Sequence, residues 1–366
     1  MKRARLAAVA LAAALLLAAT GCDGPSRGDN PADPTPASPT APAAWEPSAA
    51  PCVGAGEHRD GCAIPGYGDR PFSLYVPSSY SDAAAMPVVV FLHGGGGNGE
   101  QTQTTTCSGD DLADEHCLHV IGEREGFITV YPNGTGTRVL RNVRTWNAGG
   151  GGPDYACTSG YACEAGIDDI AYMNALFDEL EREFNVDRSR VYFSGFSNGA
   201  AMAHRVGCEM ADRVAAIAPV SGQNQFATSG ACSPSRAMPV LAIHGTDDPC
   251  WAYATSTTAC ADFDSRPKIG VSESTAGWVA RNSCPGDGEL SLMPDTASDG
   301  MTSDARVWSG CRDGAEVRLI TVHGGGHVFP SGEITSPRAR TDSATRDFGA
   351  ELLWEFFARF RLEQTA

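Results

Sequence analysis

Residues 190–209 read RVYFSGFSNGAAMAHRVGCE. The stretch begins as an apolar strand, passes through Gly195-Phe196-Ser197-Asn198-Gly199 and continues with helical spacing. Glycines on both sides of a serine suit a nucleophile elbow. There the serine occupies a strained strand-to-helix turn, and small neighbours let the chain bend without clashing. An ordinary Gly-rich turn is the alternative, and a chain with 42 glycines produces G-x-S-x-G by accident at some frequency. The remainder of the sequence has to separate the two.

Around this stretch, strands alternate with helices. FSLYVP (72–77), PVVVFLH (87–93), FITVYP (127–132), VAAIAPVSG (214–222), MPVLAIHG (238–245) and AEVRLITVHG (315–324) read as strands. Helices are expected over 111–126, 166–184, after Ser197, over 274–282 and over 344–362. The 166–184 segment repeats apolar residues at helical spacing and opens on Asp168 and Asp169, which suit a helix N-terminus. Continuous apolar strands between amphipathic helices predict an α/β fold with a mostly parallel central sheet, helices on both faces and no large lid domain. Ligand sites in such sheets lie at the carboxyl ends of strands.

Three strand-end loops carry hydrolytic groups. PVVVFL is followed by His93-Gly94-Gly95-Gly96-Gly97-Asn98-Gly99. As a dinucleotide fingerprint this lacks the strand-ending acid about twenty residues on, and as a P-loop it lacks Gly-Lys-Ser/Thr. It suits an oxyanion loop, in which amides of Gly94, Gly95 and Gly96 join the Asn198 amide around a developing negative oxygen. Downstream of Ser197, MPVLAIHG runs into Thr246-Asp247-Asp248-Pro249, and EVRLITVHGGGHVFP carries His323 and His327. The order Ser, acid, His is the one used with a nucleophile elbow. Both acids and both histidines remain candidates at this level. His323 and His327 also stand at i, i+4, but the three glycines between them oppose the helix that a metal pair at that spacing requires, so no metal is expected, and hydrolysis by a serine, an acid and a histidine requires no organic cofactor.

The first 21 residues resemble a secretion signal. Lys2, Arg3 and Arg5 precede the apolar run 6–19, which is too short to span a bilayer comfortably. Thr20-Gly21-Cys22 resembles a bacterial lipobox, with Ala19 where that pattern prefers leucine, so lipidation is expected at Cys22. Residues 22–51, rich in Pro, Ala, Ser and Thr, read as a disordered tether. Residues 52–366 are expected to form one catalytic domain. Of the 13 cysteines, twelve remain to pair if Cys22 carries lipid. They fall into neighbouring couples: Cys52 with Cys62, Cys107 with Cys117, Cys157 with Cys163, Cys208 with Cys232, Cys250 with Cys260, and Cys284 with Cys311. Pairing along these couples is the expectation, in an exported, extracellular or cell-envelope protein.

The formal charge is −17. Removing the signal takes away three cations and no acid, leaving 24 Lys and Arg against 44 Asp and Glu, about −20. Such a surface repels phosphate backbones, which argues against nucleic acid and favours neutral substrates. A monomer is expected, touching a membrane only through the lipid.

At this point the motifs carry a resemblance. FLHGGGGNG, TWNAGG (145–150), GIDDIAYM, VYFSGFSNGAAMAHRVGCE, IHGTDD, STAGWVARNSC, VWSGC and GGGHVFP follow one another as in the secreted polyhydroxybutyrate depolymerase-like esterases, which include feruloyl esterases. From about Cys62 onward the chain resembles this α/β-hydrolase family. The resemblance implies Ser197 as nucleophile, Asp248 as acid because the family pattern reads H-G-T-x-D, and His327 as base because it precedes a bulky residue and proline. Asp247 and His323 then become structural neighbours. It implies ester hydrolysis through an acyl-enzyme. The chain departs from the family at Gly151-Gly152, where relatives often place a cysteine pair, and at Cys250-Trp251-Ala252-Tyr253, where they often read Val-Pro-Tyr. Trp146, Trp251 and Tyr253 are candidate pocket residues, although core packing is the commoner fate of such aromatics. Because polymer depolymerases usually carry a further binding module, soluble esters are expected: feruloyl or acetyl esters of plant polysaccharide, or hydroxybutyrate oligoesters. A non-catalytic surface lipoprotein built on a hydrolase scaffold is the competing class.

Overall fold

The structure is a computed structural model that describes residues 50–363, apart from 109–110, 137–142, 152–153, 156, 158–159, 231, 256–267 and 332–343. The signal segment, Cys22, most of the tether and Cys260 lie outside the described residues. No described helix is long and apolar enough to cross a membrane.

The strands are β1 (Glu57–Cys62), β2 (Phe72–Val76), β3 (Met86–Leu92), β4 (Ile128–Pro132), the short β5 (Thr135–Gly136) and β6 (Arg144–Thr145), β7 (Val186–Phe196), β8 (Ala216–Val220), β9 (Val240–Gly245), β10 (Glu289–Leu292), β11 (Thr302–Trp308) and β12 (Val317–His323). The helices are α1 (Gly99–Thr102), α2 (Leu118–Glu125), α3 (Tyr161–Glu164), α4 (Asp169–Glu183), α5 (Asn198–Glu209), α6 (Phe226–Ser229), α7 (Val271–Arg281) and α8 (Glu351–Phe357).

Ten strands form one sheet in the order β1-β2-β4-β3-β7-β8-β9-β12-β11-β10. The six central strands are parallel to their neighbours, and two antiparallel strands extend the sheet at each edge. The chain leaves β3 towards β4 on one side, whereas β7 lies on the other. The carboxyl ends of β3 and β7 therefore flank a topological switch point, where parallel sheets open a crevice.

The all-apolar run of β3 follows from burial on both faces. Val88, Val90 and Leu92 pack into one cluster with Tyr172, Leu176 and Phe177 of α4, Ala201 and Val206 of α5 and Trp278 of α7. Val89 and Phe91 point the other way, into a cluster with Leu118 and Ile121 of α2 and Leu353, Phe356 and Phe357 of α8. Side chains alternate across a strand, so a strand covered on both sides has no polar position to spare.

Three expected helices are shorter than their sequence pattern. Over 111–117 the side chains of Asp111 and Asp114 accept the amides of Ala113 and His116, both at 2.9 Å, forming local turns that compete with a helix. The helix α2 begins only after Cys117, which is disulfide-bonded to Cys107. Residues 344–350 are similarly diverted: Asp347 accepts the amides of Thr296 and Ala297 at 2.7 and 2.8 Å. The third, α4, starts at Asp169 because Asp168 caps it, accepting the Ala171 amide at 2.9 Å. Disulfides join Cys52–Cys62, Cys107–Cys117, Cys157–Cys163, Cys208–Cys232 and Cys284–Cys311. Cys250 is also disulfide-bonded.

Candidate active site

Ser197 sits between β7 and α5 with φ 57° and ψ −119°, a conformation that L-residues rarely adopt. The flanking glycines have a steric reason. A Cβ on Gly195 would lie 2.6 Å from the backbone of Gly199, and one on Gly199 would lie 2.2 Å from the Leu92 carbonyl oxygen. The turn can thus be this sharp, and this close to the end of β3, only without side chains at both positions.

The His93 loop at the end of β3 borders the turn. An ideal Cβ on Gly94 would be 3.4 Å from Ser197 Cβ, and one on Gly95 would be 3.5 Å from Asn198 Cβ. The Gly96 amide donates to the Arg144 carbonyl at 2.8 Å, and the Gly97 amide to the Gly94 carbonyl at 3.1 Å. This corrects the expectation for Gly96, whose N–H is already committed. Gly94 and Gly95 remain the loop residues that border Ser197 and Asn198. Burial pushes His93 down to about 3, so its ring is neutral. Its Nδ1 donates to the Gly94 carbonyl at 2.8 Å, and its Nε2 accepts the Gly134 amide at 2.9 Å.

His327, four residues beyond β12, spans the gap between the serine and an acid. Its Nε2 is 3.0 Å from Ser197 Oγ, and its Nδ1 is 2.8 Å from Asp248 Oδ2. Asp248 Oδ1 accepts the amides of Cys250 and Trp251 at 2.8 and 2.7 Å. All three side chains are buried. Burial alone would raise the Asp248 carboxyl, but the neighbouring His327, His244 and the Trp251 amide outweigh it and hold the group below the usual range. The two rejected candidates have other partners. Exposed His323 pairs with Asp304 at 2.6 Å, and Asp247 accepts the Thr246 hydroxyl at 2.9 Å.

Asp248, Cys250 and His327 offer ligand-type atoms within 4.8 Å of one another. The sulfur is tied up in a disulfide, and the carboxylate and imidazole are bonded to each other. A metal site needs a thiolate and unshared lone pairs. The donor set fits a hydrogen-bonded relay.

His244 escaped the sequence reading. It is buried, its pKa is lowered by that burial, and its Nε2 lies 2.6 Å from the Trp251 carbonyl and 3.4 Å from Asp248 Oδ2. It braces the acid loop from behind. The signal was present in Ile243-His244-Gly245, but a histidine inside an apolar strand reads as core.

Trp146 and Trp251 are corrected as pocket residues. Trp146 is fully buried, its indole donates to the His93 carbonyl at 3.0 Å, and its ring packs on His93. Trp251 is buried under Lys268, whose ammonium lies 4.7 Å from the ring centroid. Tyr253 is half-buried, with its hydroxyl 2.9 Å from Thr321 Oγ1. Both tryptophans support the loops that carry the site.

A family model described as Phospholipase/Carboxylesterase matches residues 158–263, a span that holds Ser197 and Asp248. Feruloyl esterase B of Piromyces equi is 28% identical over 174 residues, 47% of this chain and 31% of that protein. The bifunctional acetylxylan esterase/xylanase XynS20E of Neocallimastix patriciarum is 26% identical over 266 residues, 72% of this chain and 32% of that protein. Among solved structures, acetyl xylan esterase from Aspergillus awamori superposes with a TM-score of 0.54 at 14% identity, covering 83% of this chain and 99% of that one. The chain has the α/β-hydrolase fold and is similar in sequence to feruloyl and acetylxylan esterases. This α/β-hydrolase spans about a third of the length of the curated relatives it first matches. Its likeness to the solved esterase is one of fold.

Proposed function

We propose that this α/β-hydrolase is a serine carboxylic ester hydrolase whose triad is Ser197, His327 and Asp248. One observation carries the reading: a single buried imidazole bonds the strained serine at 3.0 Å through one nitrogen and a carboxylate at 2.8 Å through the other. His327 takes the Ser197 proton as Oγ attacks the ester carbonyl. Asp248 holds the imidazole in the productive tautomer and stabilises its charge. The Gly94, Gly95 and Asn198 amides meet the tetrahedral oxyanion. His327 then protonates the departing alcohol, and water cleaves the acyl-enzyme by the same route.

The relatives' names support esters attached to plant polysaccharide, feruloyl or acetyl, and the sequence resemblance adds hydroxybutyrate oligoesters. Residues 52–366 would carry the activity, exported and held at the cell surface through lipid on Cys22. Intact-mass analysis of membrane-extracted protein tests the anchor: a chain starting at Cys22 with added acyl mass is expected, and an unmodified soluble chain refutes it.

The activity test is hydrolysis of phenyl acetate, methyl ferulate, acetylated xylan and a hydroxybutyrate trimer by the wild type and Ser197→Ala. A loss of at least about 10⁴-fold in kcat is expected in the variant. Equal activity of the two proteins on every ester would overturn the reading.

A further inference from the structure

Among the described residues, six buried side-chain polar atoms have no hydrogen-bond partner, and three of them belong to one tripeptide: Gln223 Oε1, and Oε1 and Nε2 of Gln225. Gln223 is 2% exposed and Gln225 0%. Buried polar groups nearly always find partners, so three orphans within one tripeptide call for a partner from outside the chain.

The tripeptide follows β8, and its surroundings place it at the site. A Cβ on Gly222 would lie 2.3 Å from the Ser197 carbonyl oxygen. Gln223 Nε2 donates to the Ala252 carbonyl at 3.2 Å, in the loop that carries Asp248. On the third side, a Cβ on Gly149 would fall 2.5 Å from Phe226 Cα, and the Gly150 amide donates to Ser229 Oγ at 2.9 Å. Residues 222–229 are thus wedged between the elbow, the acid loop and the loop that carries Trp146.

We propose that Gln223 and Gln225 recognise a hydroxyl group of the ester substrate, an inference that rests on the esterase reading above. A hydroxyl both donates and accepts, so it can meet an amide oxygen and an amide N–H together. A carboxylate would set oxygen against the two open Oε1 atoms, and an alkyl chain would leave all three atoms bare. The hydroxyl can belong to the acyl part, as in a phenolic or hydroxyalkanoic acid, or to the alcohol part, as in a sugar.

Matched ester pairs test this and separate the two sources. For the acyl side, methyl 4-hydroxycinnamate is compared with methyl cinnamate, and methyl 3-hydroxybutyrate with methyl butyrate. For the alcohol side, a monoacetylated methyl xyloside is compared with cyclohexyl acetate. The wild type is expected to prefer the hydroxylated member of at least one pair by roughly tenfold or more in kcat/KM. In Gln225→Met, and in Gln223→Met, that ratio is expected to fall to within about twofold of one, whereas a general structural defect would lower both members together and keep the ratio. Gln225→Met should also keep its melting temperature, because no protein hydrogen bond is lost. Unfolding of Gln225→Met, a ratio that survives both substitutions, or wild-type ratios near one in every pair would each overturn the inference. Wild-type inactivity on all the esters would instead remove the esterase reading beneath it.

Discussion

Asn198 and Trp146 hold each other by two reciprocal hydrogen bonds. The Trp146 amide donates to Asn198 Oδ1 at 2.8 Å, and Asn198 Nδ2 donates to the Trp146 carbonyl at 3.1 Å. The Trp146 indole in turn donates to the His93 carbonyl. The residue after the serine and the glycine loop opposite it are thereby fixed to one buried residue, Asn198 to the Trp146 backbone and the His93 loop to its indole. Through Trp146, Asn198 on α5 and the His93 loop after β3 are tied to each other.

Asn198→Ala should therefore disturb the proposed oxyanion donors while leaving Ser197, His327 and Asp248 in place. A fall of about 10–100-fold in kcat is expected, with KM little changed. Steady-state kinetics on a short ester would decide; unchanged kcat would show that the Trp146 link does not position the donors.

The backbone of Ser197 makes a second prediction. Its φ of 57° is strained for serine and alanine alike but not for glycine. Ser197→Gly and Ser197→Ala should both be inactive, yet the glycine variant should be the more stable by about 1 kcal/mol or more. Denaturant melts of the two variants give the comparison, and equal midpoints would mean that the turn holds no such strain.

Under the 145–150 loop lies a buried ion pair. Asp169 Oδ1 accepts Arg70 Nη2 at 2.5 Å, and its Oδ2 accepts the Asn147 amide at 2.6 Å, while the Arg70 guanidinium stacks 3.7 Å from the Tyr172 ring centroid. Asp169→Ala strands a buried cation and should cost about 3–5 kcal/mol. Arg70→Met combined with Asp169→Ala should recover part of that loss. Chemical denaturation of the three variants measures the coupling, and a coupling below about 0.5 kcal/mol would contradict a paired role.

Stability should also fall in mild acid. Burial pushes both His93 and His204 down to about 3, and the His204 Nδ1 accepts the Trp278 indole N–H at 2.9 Å. With the folded value depressed, the unfolded chain binds the proton first, so stability is full above the unfolded value of about 6.5 and drains away as pH falls towards 3. By about pH 4.5 each histidine should have removed on the order of 2 kcal/mol. Melts across this range should slope downwards, and His204→Gln should flatten the slope. A flat profile from about pH 7 to 4.5 would show that these rings take up protons without unfolding.

Much was legible in the sequence because it depends on chain neighbours. The continuous apolar run of β3 required burial on both faces, and Gly195 and Gly199 around Ser197 announced a turn too tight for side chains. Cysteines ten residues apart, such as Cys52 and Cys62, needed little tertiary information to meet. The edge strand β10 left only a weak trace, because its Glu-Leu-Ser-Leu alternation is four residues long and every one of those residues is exposed.

The partners of polar groups were decided only by the tertiary structure. Asp247 and Asp248 are indistinguishable as neighbours in the chain. Only Asp248 lies against His327, 79 positions away, and only His327 reaches Ser197 across 130. Whether the Gly96 amide was free depended on where the Arg144 carbonyl fell, and whether Trp146 lined a pocket or filled a core depended on the Asn198 and His93 atoms that meet it. Local pattern follows from sterics and burial along a few residues. A hydrogen bond, directional and effective only near 3 Å, is assigned when distant strand ends are brought together by the sheet.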